Sequence, residues 1–477
     1  MTAASLCLEW NMHELKAGTG RADISPAPGT PQGGWGAQTH QRGLGNDLAF
    51  YATALVLQDG AQTVAIVDVD SIGFDPEWTQ RILAAIAALT GLPIENIRFS
   101  CTHTHSGPNT FRIPVITEGR DMILEYLHGL PARIAGAVWQ AQQALQPVRI
   151  GAAVGSCDIN MNRRQVVADG SVVVGRNPGG PVDRTVRVVR IDTLDEQPLA
   201  TLVHYACHPT TIGWDAKVAT PDYPGMAKRV VEEQVGGTCL FLQGATGNLG
   251  PRQGFTGDLA IYRRFGRLLG LEAAKLALNI DTLPREPRFV GLQASGATIA
   301  LFEDTPVEPP PAALGVRSRF LPLPLKTFPV PEEAEAEAAA FRTELARLRR
   351  EGTEAEIRAA TSKATQAGMR ADRARLYHGR SHIDWQLQGI RIGPVALIAI
   401  PGEPFIEISQ EIAARSPFPH TLFSGYSNGG FSYLPVRSAY PEGGYEVETS
   451  PFAPGAAEIV VEEALRMLQE LWDGATQ

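Results

Sequence analysis

The chain has 477 residues, 42 basic against 51 acidic, for a net charge of -9. That length supplies a sizeable core, and the acidic balance excludes a nucleic-acid groove or an anionic membrane surface as the main partner. No window nears the roughly 18 apolar residues that cross a bilayer, and "MTAASLCLEWNMHELKAG" lacks a basic start followed by an apolar run, so a soluble cytoplasmic protein is expected.

Taken in chain order, strand-like runs "ATALVLQD", "TVAIVDVD", "IRFSC", "TVRVVRID", "LATLVHYAC" and "TCLFLQG" alternate with helical stretches at 76–90, 131–145, 223–235 and 258–277. Such alternation predicts an α/β (mixed α+β) fold of layered sheets flanked by helices. Pro131 suits a first helical position, which would split 121–145 into two helical pieces. The five cysteines, Cys7, Cys101, Cys157, Cys207 and Cys239, are odd in number and scattered, so no disulfide framework is expected.

Composition shifts near residue 303. The stretch "EDTPVEPPPAALGVRSRFLPLPLKTFPVP" is too proline-rich for a helix or a central strand, and "EEAEAEAAAFRTELARLRR" after it is strongly helical. Thr353 with Glu356 forms a capping-box signature for a second helix running to about residue 377. These features predict one domain made of 16–304 and 381–473, interrupted by a Pro-rich arm and helical hairpin at 305–380. Phe320, Leu321, Leu323 and Phe328 in the arm would suit a lid or a homo-oligomer contact. Strands return in "GIRIGPVALIAIPGEPF", and an amphipathic helix at 455–473 closes the domain.

Four places carry residues fit for chemistry. "CTHTHSGPN" puts His103 and His105 at the end of a buried run, where active sites of α/β proteins collect. "LVHYACHPTTIG" places His208 before a proline at another strand end, with His204 in mid-strand as a structural residue. Neutral imidazoles from two neighbouring strands can put nitrogens about 2 Å from one zinc ion. Glu403 in "IAIPGEPF" is either a helix-start carboxylate or a ligand, and Gly429, Gly430, Gly443 and Gly444 flank Tyr433 and Tyr445.

Together "GRADISP", "THTHSGP", "NRR", "CHPTT", "PDYPGMA", "GATGNLGPR", "PGE", "GYSNGGFSY" and "GGYE" resemble the catalytic domain of neutral/alkaline non-lysosomal ceramidases in order and rough spacing. The resemblance implies one zinc per chain held by His103, His208, Glu403 and Tyr433, with His105, Arg163 and Tyr445 around the substrate carbonyl. Where that family reads Gly-Asp-Val-Ser-Pro-Asn this chain reads Gly247 to Arg252, with Gly250 in place of the serine. The resemblance is expected to cover the family's catalytic domain alone, without its C-terminal module. The expectation is a zinc-dependent hydrolase, an amidase acting on a small N-acyl amide or ester rather than a membrane sphingolipid. The competing expectations are an amidohydrolase barrel, an enzyme acting on a sugar-containing substrate, and an inactive metal-stabilised binding protein.

Overall fold

The computed structural model describes residues 14–474 other than 39, 61, 112–115, 311 and 431; Cys7 and the first 13 residues of the N-terminal stretch lie outside the described residues. Helices are labelled α1 (Pro76–Thr90), α2 (Arg120–Gln143), α3 (Asp222–Val235), α4 (Leu259–Asn279), α5 (Pro331–Glu351), α6 (Glu354–Tyr377), α7 (Ile406–Arg415), α8 (Tyr445–Thr449) and α9 (Ala456–Asp473).

The branched runs read from sequence become strands of one mixed sheet of eight. In spatial order they are Thr238–Gln243, Pro198–Tyr205, Thr185–Thr193, Gln146–Ser156, Lys16–Asp23, Tyr51–Asp59, Gln62–Val69 and Ile97–Cys101. Period-two alternation sends Ala54, Val56, Ala65 and Val67 to α1 and α2, and Leu55, Leu57, Val64 and Ile66 to the opposite face. There they meet Ile390, Ile392, Leu397 and Leu422 of a second sheet, ordered Leu314–Pro324, His382–Ile392, Val395–Ala399, His420–Ser424. Helices α3 and α4 cover the rest of the large sheet, and α7 and α9 cover the far face of the small one. The result is a helix–sheet–sheet–helix stack, the layered architecture expected from the alternation.

Close approach decides where α2 lies. Gly18 and Gly20 sit beneath it, and a Cβ on Gly20 would fall 2.1 Å from the Ala137 carbonyl oxygen. Gly20→Ala is therefore expected to destabilise by about 1–3 kcal/mol through overpacking. Gly136→Ala on α2 meets open space and should stabilise slightly by helix propensity. Thermal melting of the two variants side by side checks the contrast, and equal melting temperatures would remove the close-packing argument.

Two expectations are corrected. A single helix α2 runs through Pro131 instead of breaking there. Burial of Leu127, Leu130, Ile134, Ala135 and Val138 on one face outweighs the roughly 3 kcal/mol a mid-helix proline costs. Residues 314–324, expected inside the inserted Pro-rich arm, form an edge strand paired along its length with 382–392, and Leu321 and Leu323 enter the core. An edge strand tolerates Pro322 and Pro324 because one side of its ladder needs no donors. What stands apart is the hairpin of α5 and α6, with the Thr353–Glu356 capping box in place. Its own core is Ala334, Ala338, Ala367, Ala371 and Ala374 with Phe341. Residues 285–293 and 299–306 pair as a solvent-exposed ribbon that the sequence reading did not separate.

Candidate metal centre

Three parallel strand pairs bring the candidate residues to one place. His103 follows Ile97–Cys101, His208 follows Pro198–Tyr205, and Glu403 follows Val395–Ala399, so strand ends from both sheets meet. The strand ends at Cys101, so His103 and His105 are loop residues and not neighbours on a pleat. His103 has a left-handed backbone, φ 69°, uncommon outside glycine and typical of functional sites. Its N–H donates to Ser71 O at 2.8 Å and its Nδ1–H to Ile72 O at 2.6 Å, which fixes the ring.

His105 is held in the same way, Nδ1 lying 3.0 Å from Gly34 O. A carbonyl oxygen only accepts, so Nδ1 carries the proton in both rings and both Nε2 atoms present lone pairs. They lie 3.3 Å apart, and His105 Nε2 is 3.0 Å from His208 Nε2. Ligands about 2 Å from a tetrahedral zinc are about 3.3 Å from one another, so the spacing suits a cation among them. The three imidazoles are a group that could hold a metal ion. Burial, with Arg163 nearby, lowers the His105 pKa to about 4 and holds His103 and His208 well below the usual value. All three are then neutral at pH 7; His103 and His105 are in the tautomer that ligates through Nε2, whereas His208 Nδ1 accepts from Arg163 Nη1 at 3.0 Å and so carries its proton on Nε2, facing His105.

Glu403 faces the same point. Its Oε2 is buried without a hydrogen-bond partner, 3.8 Å from His103 Nε2 and 4.0 Å from His208 Nδ1. Burial pushes this carboxyl up to about 7, against the downward pull of Arg163. An orphaned buried carboxylate oxygen calls for a cation, so the donor set fits a metal on grounds independent of the histidines. Glu403 starts no helix: it is register partner to Tyr433 in a two-residue parallel bridge, which sets the two side by side.

Arg163 stands behind these groups with all its guanidinium nitrogens engaged. Nε bonds Glu446 Oε1 at 2.8 Å, Nη1 lies 3.0 Å from His208 Nδ1, and Nη2 bonds Tyr433 OH at 2.9 Å. It thus makes a buried salt bridge and borders two candidate ligands. Tyr445 opens α8, its ring 5.7 Å from that of Tyr433. His204 bonds Phe423 O at 2.8 Å, a structural role as its mid-strand position suggested.

Sequence reasoning missed four contributors. Glu446 binds both Arg163 and Arg164; Tyr426 stacks 4.3 Å from His103; Thr246 bonds the Tyr426 hydroxyl; Trp35 lies 5.0 Å from His105. Glu446 and Tyr426 sit in "GGYE" and "GYSNGGFSY", and that adjacency was their only signal. Gly250 lies beside Arg163, where a Cβ would have ordinary contacts of 3.6 and 3.8 Å.

Fold and site define a layered α/β protein with a candidate metal centre where strand ends of two sheets converge. Residues 15–252 match the family model for neutral/alkaline non-lysosomal ceramidase, N-terminal, and over these residues the chain belongs to that family. Its fold is similar to that of neutral ceramidase from Pseudomonas aeruginosa, with TM-score 0.66 and 19% identity, covering 96% of this chain and 74% of that one. A structure titled ceramidase complexed with C2 is similar at TM-score 0.66 and 17% identity, covering 97% and 76%. The family and fold suggest an amide hydrolase. Among the described residues, no helix is long and apolar enough to cross a membrane.

Proposed function

We propose that the chain is a zinc-dependent hydrolase that cleaves the amide or ester bond of a small N-acyl-type substrate. The observation that carries this is the convergence of His103 Nε2, His105 Nε2 and His208 Nε2 beside the orphaned Glu403 carboxylate. His103, His208, Glu403 and Tyr433 would hold one zinc ion. When bound, such an ion supplies Lewis-acid polarisation of a carbonyl and a nucleophile at neutral pH.

The remaining chemistry belongs to side chains. His105 is the half-buried imidazole of the three and is uncharged at pH 7, with Nε2 turned inward; it accepts a proton and returns it to the leaving amine. General acid–base work of this kind contributes 10²–10⁴-fold in rate, on the order of 3–5 kcal/mol. Tyr445 donates to the carbonyl oxygen as charge develops there. Arg163 orients His208 and Tyr433 and adds positive charge to the site.

The test is release of free amine from a panel of N-acyl amides, with matching esters, by zinc-loaded wild type, Arg163→Ala and Gly250→Ser. Wild type is expected to turn over, Arg163→Ala to lose about 10²-fold in kcat/KM, and Gly250→Ser to stay within about threefold. No amine or acid release from any panel member would sink the hydrolase. A gain of orders of magnitude in Gly250→Ser would show that the chemistry needs the missing hydroxyl.

A further inference from the structure

Helix α6 reaches the loops on one flank of the candidate metal centre. There Arg358 Nη2 lies 3.9 Å from Asp215 Oδ1, and the Thr365 methyl lies 3.9 Å from where a Cβ on Gly36 would be. Those two loops carry Trp214 and Trp35, whose rings are 5.9 Å apart, and Trp35 packs 5.0 Å from His105. Farther along α6, Arg373 is among the charges acting on the Glu403 carboxyl and on Lys326. Thr365 and Arg373 are about 12 Å apart along a helix, a span that suits the mouth of a small-molecule site.

The attachment of this hairpin is narrow. Its two ends adjoin at the base, where His378 Nδ1 is 3.1 Å from Phe328 O and the Phe328 and Tyr377 rings are 5.5 Å apart. The segments 326–330 and 378–381 are its only covalent ties, and Gly379 has a left-handed φ of 75°. The alanine core lies between α5 and α6 and joins none of the main cores. The half-buried residues of α6 mix polar Arg358, Thr361, Thr365 and Arg373 with apolar Ile357, Met369 and Tyr377. Four of these seven are polar, so opening exposes a mixed surface and not a wholly apolar one.

We infer that the α5/α6 hairpin is a movable roof over the three-histidine site, pivoting on 326–330 and 378–381 to admit a water-soluble substrate between α6 and the Trp35 and Trp214 loops. The inference deepens the function proposed above and rests on it for what the site does.

The test reads access to the imidazoles in metal-free protein, so that failure of metal binding would sink the hydrolase reading alone. Gly36→Cys with Thr365→Cys, in a Cys7→Ser background, places two thiols where a disulfide can staple the roof shut, and Cys101, Cys157, Cys207 and Cys239 are buried. The probe is diethyl pyrocarbonate, which acylates neutral imidazole nitrogen, with modification at His105 followed by mass spectrometry. The oxidised, cross-linked form is expected to react at least about tenfold more slowly than the same protein after reduction. Equal rates before and after reduction overturn the proposal. A second variant, with 331–377 replaced by a short Gly-Ser linker, should react at least about tenfold faster than wild type at His105, and an unchanged rate there overturns it equally.

Discussion

His208→Ala is expected to reduce zinc from about one ion per chain to less than a tenth, and to abolish amide cleavage. His208 lies in either ligand arrangement the geometry admits: with His103, Glu403 and Tyr433, or with His103 and His105. The two differ at His105, and that difference is measurable. The Glu403 carboxylate is buried with Oε2 unpartnered, whereas His105 is half-buried against Trp35. A buried charge needs a counter-ion more than a neutral ring does, so the proposed assignment puts Glu403 with the metal and His105 with the proton. His105→Ala should then keep its metal while losing about 10²–10⁴-fold in turnover, and Glu403→Gln should lose metal affinity. Elemental analysis of the purified variants after dialysis decides it. Loss of zinc from His105→Ala with retention in Glu403→Gln would exchange the two roles.

The same residues show what a sequence can and cannot disclose. Runs such as "TVAIVDVD" announce themselves because branched side chains alternate about a buried sheet. Lys16–Asp23, "KAGTGRAD", does not, since its glycines serve the close approach of α2 and give no apolar period. His103, His208 and Glu403 were legible as single residues at the ends of apolar runs. Their mutual distances depend on two sheets stacking, which no local period encodes. Glu446 was hidden for that reason: its partners Arg163 and Arg164 are 283 and 282 residues away. The strand at 314–324 was hidden by prolines that exclude a central position but not an edge.

Lys228→Met is expected to destabilise the fold by about 3–5 kcal/mol, the cost of leaving buried charge uncompensated. The ammonium lies 2.9 Å from Asp68 Oδ2 and 2.8 Å from Asp70 Oδ1, all three residues being almost wholly buried between α3 and the large sheet. Backbone N–H groups of Phe241 and Tyr51 bond the same two carboxylates at 3.0 Å, so the trio ties strands to one another. For a chain of this size the melting temperature should fall by roughly 3–5 °C. The effect also has a pH signature. Burial already raises the Asp70 pKa, opposed chiefly by Lys228, and removing the ammonium raises it further. An acid whose pKa is higher folded than unfolded binds its proton more tightly in the native state, so its contribution to stability is lost as pH rises through the folded pKa. The variant should therefore be closer to wild type at pH 5 than at pH 8, as melting at both values will show. The site feels the same change, because the residues just after Asp70, Ser71 and Ile72, supply the carbonyls that hold His103. A Lys228→Met protein that melts like wild type at both pH values would mean that the two carboxylates need no cation.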